Sequence, residues 1–157
     1  MIKKIAFGAA GLAIAATTVF AASHANSPFA GAIKARQAHM QLYAHNIGIL
    51  GAMAKGAVEY DSIAATAAAS NLAALSLLSQ AGYWPQGSDA ESVEGSEALG
   101  AIWKNYGDVS EKSGLLVEAS QMMVGAAGSD LASLQDAMKE LGGACGACHK
   151  SYRKPQS

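Results

Sequence analysis

From residue 27 onward, apolar positions recur at spacings of three and four, the period that gathers side chains on one face of an α-helix. The first such seam is Ile33, Arg36, Met40, Tyr43, Ile47, Leu50 and Ala54. Ser27-Pro28 offers a cap and a first-turn proline ahead of it, and Gly56 follows it, so a helix is expected over about 28–55. A second helix is expected from the capping Asp61 to about Ala81, with Ile63, Leu72, Leu75 and Leu78 on its apolar face. Residues 82–95 combine Tyr83-Trp84-Pro85 with a run of Gly, Ser, Asp and Glu. This reads as the long connection, in which Ser88-Asp89-Ala90-Glu91 can cap a short turn. A third helix is expected from Ser96 through Leu99, Ile102, Tyr106, Val109, Leu116 and Met123, with Gly107 and Gly114 as bends and Gly125 and Gly128 as its end. The fourth starts at Ser129 or Asp130 and carries the cleanest seam: Leu131, Leu134, Met138, Leu141, Cys145, Cys148 and Tyr152. No strand pattern stands out, so the chain reads as all-α, four helices joined by short loops.

The pattern differs before residue 27. Lys3 and Lys4 precede an uncharged apolar stretch over 5–20, and Ser23-His24-Ala25 places small residues where a signal peptidase cuts. Residues 1–25 therefore read as a secretory signal peptide and 26–157 as one domain; the competing readings are a cut two or three residues earlier and an uncleaved anchor. Residues 26–157 hold nine Lys+Arg against twelve Asp+Glu, a net charge of −3. Nothing in that balance neutralises phosphates, so nucleic-acid binding is not expected. No membrane insertion of the mature chain is expected either. A domain of this size can bury roughly two thirds of its surface without the help of disulfides.

Both cysteines lie in Cys145-Gly-Ala-Cys148-His149. Two thiols one helical turn apart can add to the two vinyl groups on one porphyrin edge, and the next residue is an imidazole that can reach the iron. That is the C-x-x-C-H pattern of covalent c-type haem attachment. A thioredoxin-like redox pair would need a strand–helix setting. Zinc would need a fourth ligand beyond Cys145, Cys148 and His149. No Ser-His-Asp set, paired carboxylates or phosphate loop is present, so no enzyme activity is expected.

With this motif on the last of four helices, the chain resembles the class II cytochromes c, the family of cytochrome c′ and its low-spin c-556 type relatives. The resemblance spans essentially all of the mature chain. It rests on Arg36-Gln-Ala-His-Met40, on NIGILGAMAKGAVEYD over 46–61, on Ala101-Ile102-Trp103, and above all on GGACGACHKSYR over 142–153. It implies an up-down-up-down antiparallel bundle holding one covalent haem c, His149 as proximal iron ligand, a periplasmic location and a possible homodimer. Its redox partners would be proteins of a respiratory or photosynthetic chain. The family position matching Met40 faces the distal side of the iron. Where methionine ligates there, the protein is a low-spin six-coordinate electron carrier; where the iron is open, it is a five-coordinate cytochrome c′ that binds NO or CO. The segment over 50–56 followed by Tyr60-Asp61 is more similar to the c-556 type.

The residues themselves point the same way. Arginine on a core seam needs an anion, which a haem propionate would supply to Arg36 in a bidentate contact; the alternative is a reach to solvent. Met40 lies one turn further on. It is either core filler or a thioether ligand opposite His149. Arg153 lies one turn after His149, either near the proximal imidazole or as a solvated C-terminal charge. Trp103, Tyr106 and Tyr43 are expected as haem-packing or core aromatics, and His39 and His45 at the surface. Gly142 and Gly143 suggest a close approach of porphyrin to backbone, or a kink.

Overall fold

A computed structural model describes residues 27–156, so the expected signal peptide over 1–25 lies outside the described residues. Five helical segments follow one another: α1 Ala30–Ala54, α2 Ser62–Leu77, the single turn α3 Ala101–Lys104, α4 Tyr106–Ser129 and α5 Leu131–Tyr152. The four long helices form an antiparallel up-down-up-down bundle. Each packs on two neighbours, α1 against α2 and α5, and α4 against α2 and α5.

Local chemistry sets the helix starts. The Asp61 carboxylate accepts from the backbone N–H groups of Ile63 and Ala64, and Asp130 accepts from that of Ser133, so each caps the helix it precedes. At α1, by contrast, Ser27 accepts from Phe29 N and the helix begins later, at Ala30, with no side-chain cap. Asn105 interrupts the expected third helix. Its φ of −126° and ψ of 43° separate the α3 turn from α4, which leaves Tyr106 70% exposed rather than in the core. Gly125 and Gly128 do not end α4, which continues to Ser129. The second helix stops at Leu77, short of Ala81.

The α2 core face also differs from the leucine face expected of it. Ile63 is 82% and Leu78 51% exposed, whereas Ala65, Ala68, Ala69 and Leu72 are buried. Small side chains let α2 approach α4 closely. A Cβ built on Gly128 would stand 2.8 Å from Thr66 Oγ1.

The buried stripe of α1 is Ile33, Arg36, His39, Tyr43, Asn46, Leu50 and Met53. It is rotated by one position from the expected seam at three places: His39 is buried where Met40 was expected, Asn46 in place of Ile47, and Met53 in place of Ala54. The polar members are tolerated because they are hydrogen-bonded. Asn46 Nδ2 donates to Leu42 O and its Oδ1 accepts from Asn71 Nδ2, which ties α1 to α2. His39 Nε2 lies 3.1 Å from Leu75 O, and its ring packs on Tyr43 and Tyr83. His39 is therefore a core residue, contrary to expectation, whereas His45 is exposed.

The core falls into two clusters. The larger is built on Tyr43, Leu50, Leu72, Met123, Leu134 and Leu141, with Ala144 packed against it. The smaller contains Ala98, Ile102 and Tyr152, with Trp84, Trp103 and Cys148 packed against it.

Candidate functional site

Cys145, Cys148 and His149 lie on the last two turns of α5, and all three are partly buried. The motif spans the boundary between the two clusters, since Ala144 packs on one and Cys148 on the other. Both thiols are free. Burial raises both thiol pKa values. For Cys145 the neighbouring Cys148 adds to this; for Cys148 the charge of Lys112 opposes it and that of Asp108 adds to it. A disulfide-exchanging pair needs the reverse, a stabilised thiolate. Among the described residues no group of three or more His, Cys, Asp and Glu could hold a metal ion, so zinc has no ligand set here. The His149 pKa is lowered, first by burial and then by Arg153, with Glu97 opposing. A neutral imidazole is the form that coordinates iron.

The end of α5 is fixed from outside the helix. Leu99 N donates to Tyr152 O and Lys154 N to Glu97 O, and Ala98 forms an antiparallel bridge with Arg153. Tyr152 donates its hydroxyl proton to Asp108 on α4, which also pairs with Lys112. Trp103 Nε1 donates to Trp84 O across the smaller cluster, 3.0 Å away. These contacts hold the turn that carries Cys148 and His149 on the small cluster of Ala98, Ile102 and Tyr152, against which Trp84 and Trp103 also pack.

On α1, Tyr43 is 5% exposed and its hydroxyl has no hydrogen-bond partner. Burial, with Cys145 nearby, pushes its phenol up to about 12. An unpartnered hydroxyl in a core is unfavourable by about 1–3 kcal/mol, which suits a wall facing a group with acceptors of its own. A haem brings such acceptors. With paired thiols one turn apart and a neutral imidazole beside them, the residues present fit a covalent haem.

The other expected site residues fall as follows. Met40 is 36% exposed, on α1 at the edge of the buried stripe. Arg36 is only 4% exposed and does not reach solvent. Its Nη1 donates to Tyr83 O and Ser88 Oγ, and its Nη2 to Ser88 O and Ser96 Oγ. The guanidinium also lies 4.9 Å over the Trp84 ring. These loop contacts, which the seam alone could not reveal, are neither of the partners foreseen for Arg36. Arg153 is close enough to His149 to depress its basicity. Beyond its own helix backbone and chain neighbours, a Cβ built on Gly142 or Gly143 would meet nothing within 4 Å, and α5 runs through both without a break. Serines 88 and 96, Trp84 and Tyr152 were not singled out for the site. Their part depends on the loop's path, which no local pattern encodes.

A four-helix bundle whose last helix ends in C-x-x-C-H defines a class of protein, the bundle-type c cytochromes. Comparison with known proteins narrows it. The sequence profile described as cytochrome C′ matches residues 31–153. A cytochrome c-554 of Cereibacter sphaeroides is 48% identical over 122 residues, 78% of this chain and 80% of the relative. The cytochrome c′ of the same organism is 35% identical over 77% of this chain and 81% of its own length. Among solved structures, a cytochrome c′ from Rhodobacter sphaeroides superimposes with a TM-score of 0.80 at 32% identity, over 83% of this chain and all of that one. The chain belongs to the cytochrome c′ family and carries covalently bound haem c.

Proposed function

We propose that this protein is a single-electron carrier with a closed, six-coordinate haem iron. Cys145 and Cys148 would hold a haem through two thioether links, the chemistry of S–H addition to its vinyl groups. His149 would supply an imidazole to the iron, and its burial, followed by the charge of Arg153, lowers its pKa. When bound, the haem supplies reversible one-electron chemistry at iron, and ligand identity and burial tune its potential.

The observation that carries the closed-iron reading is Met40. It is a soft thioether on the face of α1 that includes Arg36 and Tyr43, and it is not committed to core packing. A methionine opposite histidine favours the reduced state and excludes other ligands. Relatives named cytochrome c-554, at 48% and 46% identity, stand above the 35% of a cytochrome c′. Arg36 contributes positive charge towards a propionate. With its terminal nitrogens already hydrogen-bonded, it does so through its field and the remaining Nε–H. Residues 1–25 act as the cleaved export signal and 26–157 as the haem domain, which works in the periplasm with redox proteins of a respiratory or photosynthetic chain as partners and can pair as a homodimer. Among the described residues no helix is long and apolar enough to cross a membrane.

A second reading keeps the iron five-coordinate for NO or CO. It draws on the exposure of Met40, which packing alone does not hold in place. A related cytochrome c prime variant from Alcaligenes xylosoxidans, 29% identical, is described with bound NO. Electron paramagnetic resonance of the oxidised protein separates the two. Native protein is expected to be low-spin and Met40→Ala high-spin. A native high-spin signal unchanged by Met40→Ala would reduce Met40 to a distal wall and favour the gas-binding reading.

A further inference from the structure

We propose that Arg36 is a positioning residue that clamps the 83–96 loop onto α1 and so holds Trp84 on the small cluster of Ala98, Ile102 and Tyr152 against which Cys148 also packs. Its two terminal nitrogens carry four N–H groups, and four acceptors meet them at 2.6–3.1 Å, all within that loop. The arrangement is two-pronged. Nη1 takes Tyr83 O and Ser88 Oγ, and Nη2 takes Ser88 O and Ser96 Oγ. The serine hydroxyls are aimed by their own donations, Ser88 to Pro85 O and Ser96 to Ser88 O. Trp84 covers the face of the cation. Ser88 is fully buried and Ser96 5% exposed, so no solvent competes.

The clamp continues beyond the loop. Ala90 N donates to Ala98 O, Trp84 O receives Trp103 Nε1, and Ala98 bridges Arg153 at the end of α5. A connected path of hydrogen bonds and one ring contact therefore joins α1 to the turn after His149. A single cation could supply charge at this place; only a planar fork can hold two prongs at once. This role lies beside, and does not depend on, the field that Arg36 contributes to a propionate or the ligation by Met40.

The test uses the haem-loaded protein and three variants: Arg36→Lys, Arg36→Leu and the pair Ser88→Ala/Ser96→Ala. Hydrogen exchange across 83–96 and the Soret circular dichroism, which responds to aromatic rings near the haem, are read for each, together with the midpoint potential. Hydrogen bonds to a charged group are strong enough that exchange over 83–96 should quicken about tenfold or more in the serine pair and in Arg36→Lys, with α2 unchanged. The Soret dichroism should change in both, and the potential of the serine pair should stay near native because the charge remains. Arg36→Leu should loosen the loop and also lower the potential. Native exchange and native dichroism in the serine pair would overturn the clamp, whatever the Arg36 variants show. Should Arg36→Leu fail to mature, the serine pair still decides.

Discussion

Tyr43 shows how one side chain reports on its surroundings. Its phenol is buried and unpartnered, and burial raises its pKa from 10.0 to about 12. In the unfolded chain it loses its proton near its ordinary value. Between pH 10 and about 12 the native state therefore binds more protons than the unfolded state, and stability falls as pH rises through that window. Tyr152, held up to about 12 by its hydrogen bond to Asp108, adds a second contribution of the same sign. Denaturant melts of the haem-loaded protein across this range should lose part of their pH slope in Tyr43→Phe. An unchanged slope would mean that the phenol is ionised as freely in the fold as in water. The same residue shows what the sequence could and could not convey. Periodicity placed Tyr43 in the core correctly, but nothing local announced that its hydroxyl lacks a partner. Arg36 is the counterpart: the seam marked it as a buried charge, and only the folded loop revealed its acceptors.

The helices were legible to differing degrees, for physical reasons. α5 matched its expected bounds because Asp130 caps it and its seam is built of large residues. α2 was found but its face was misjudged. Alanines carry little hydrophobic signal, yet Ala65, Ala68 and Ala69 share the buried face with the expected Leu72 and the partly buried Leu75, while Ile63 and Leu78 point outward. The α1 stripe was displaced by one position at three places because buried His39 and Asn46 are polar and hydrogen-bond across to α2. The α2–α4 contact yields a test. Gly128→Ala should gain about 1 kcal/mol of helix propensity, but its new Cβ would meet Thr66 Oγ1 at 2.8 Å and displace that hydroxyl from Ser62 O. The gain should appear in thermal melts only when Thr66 is also alanine. Equal effects of Gly128→Ala in the presence and absence of Thr66 would show that α2 and α4 are not in contact there.

At the scale of the whole molecule, the bundle brings three separate stretches of sequence to one place. α5 offers the thiols and the imidazole. α1 offers the buried Tyr43 beside Cys145 and the buried Arg36. The 83–96 loop offers Trp84, which packs on the cluster that also receives Cys148. The motif alone disclosed the haem, and the family resemblance supplied the topology. What stayed hidden was how α1 and the loop are locked together, because that lock is made of contacts 47 to 60 residues apart in sequence. The proposed closed iron rests on Met40 as a soft donor from α1 and His149 as an imidazole from α5. The ferrous optical spectrum of the native protein, recorded before and after carbon monoxide is added, tests this most directly. A closed iron gives sharp α and β bands that carbon monoxide leaves unchanged. A broad high-spin spectrum that converts at once to a carbonyl complex would contradict it.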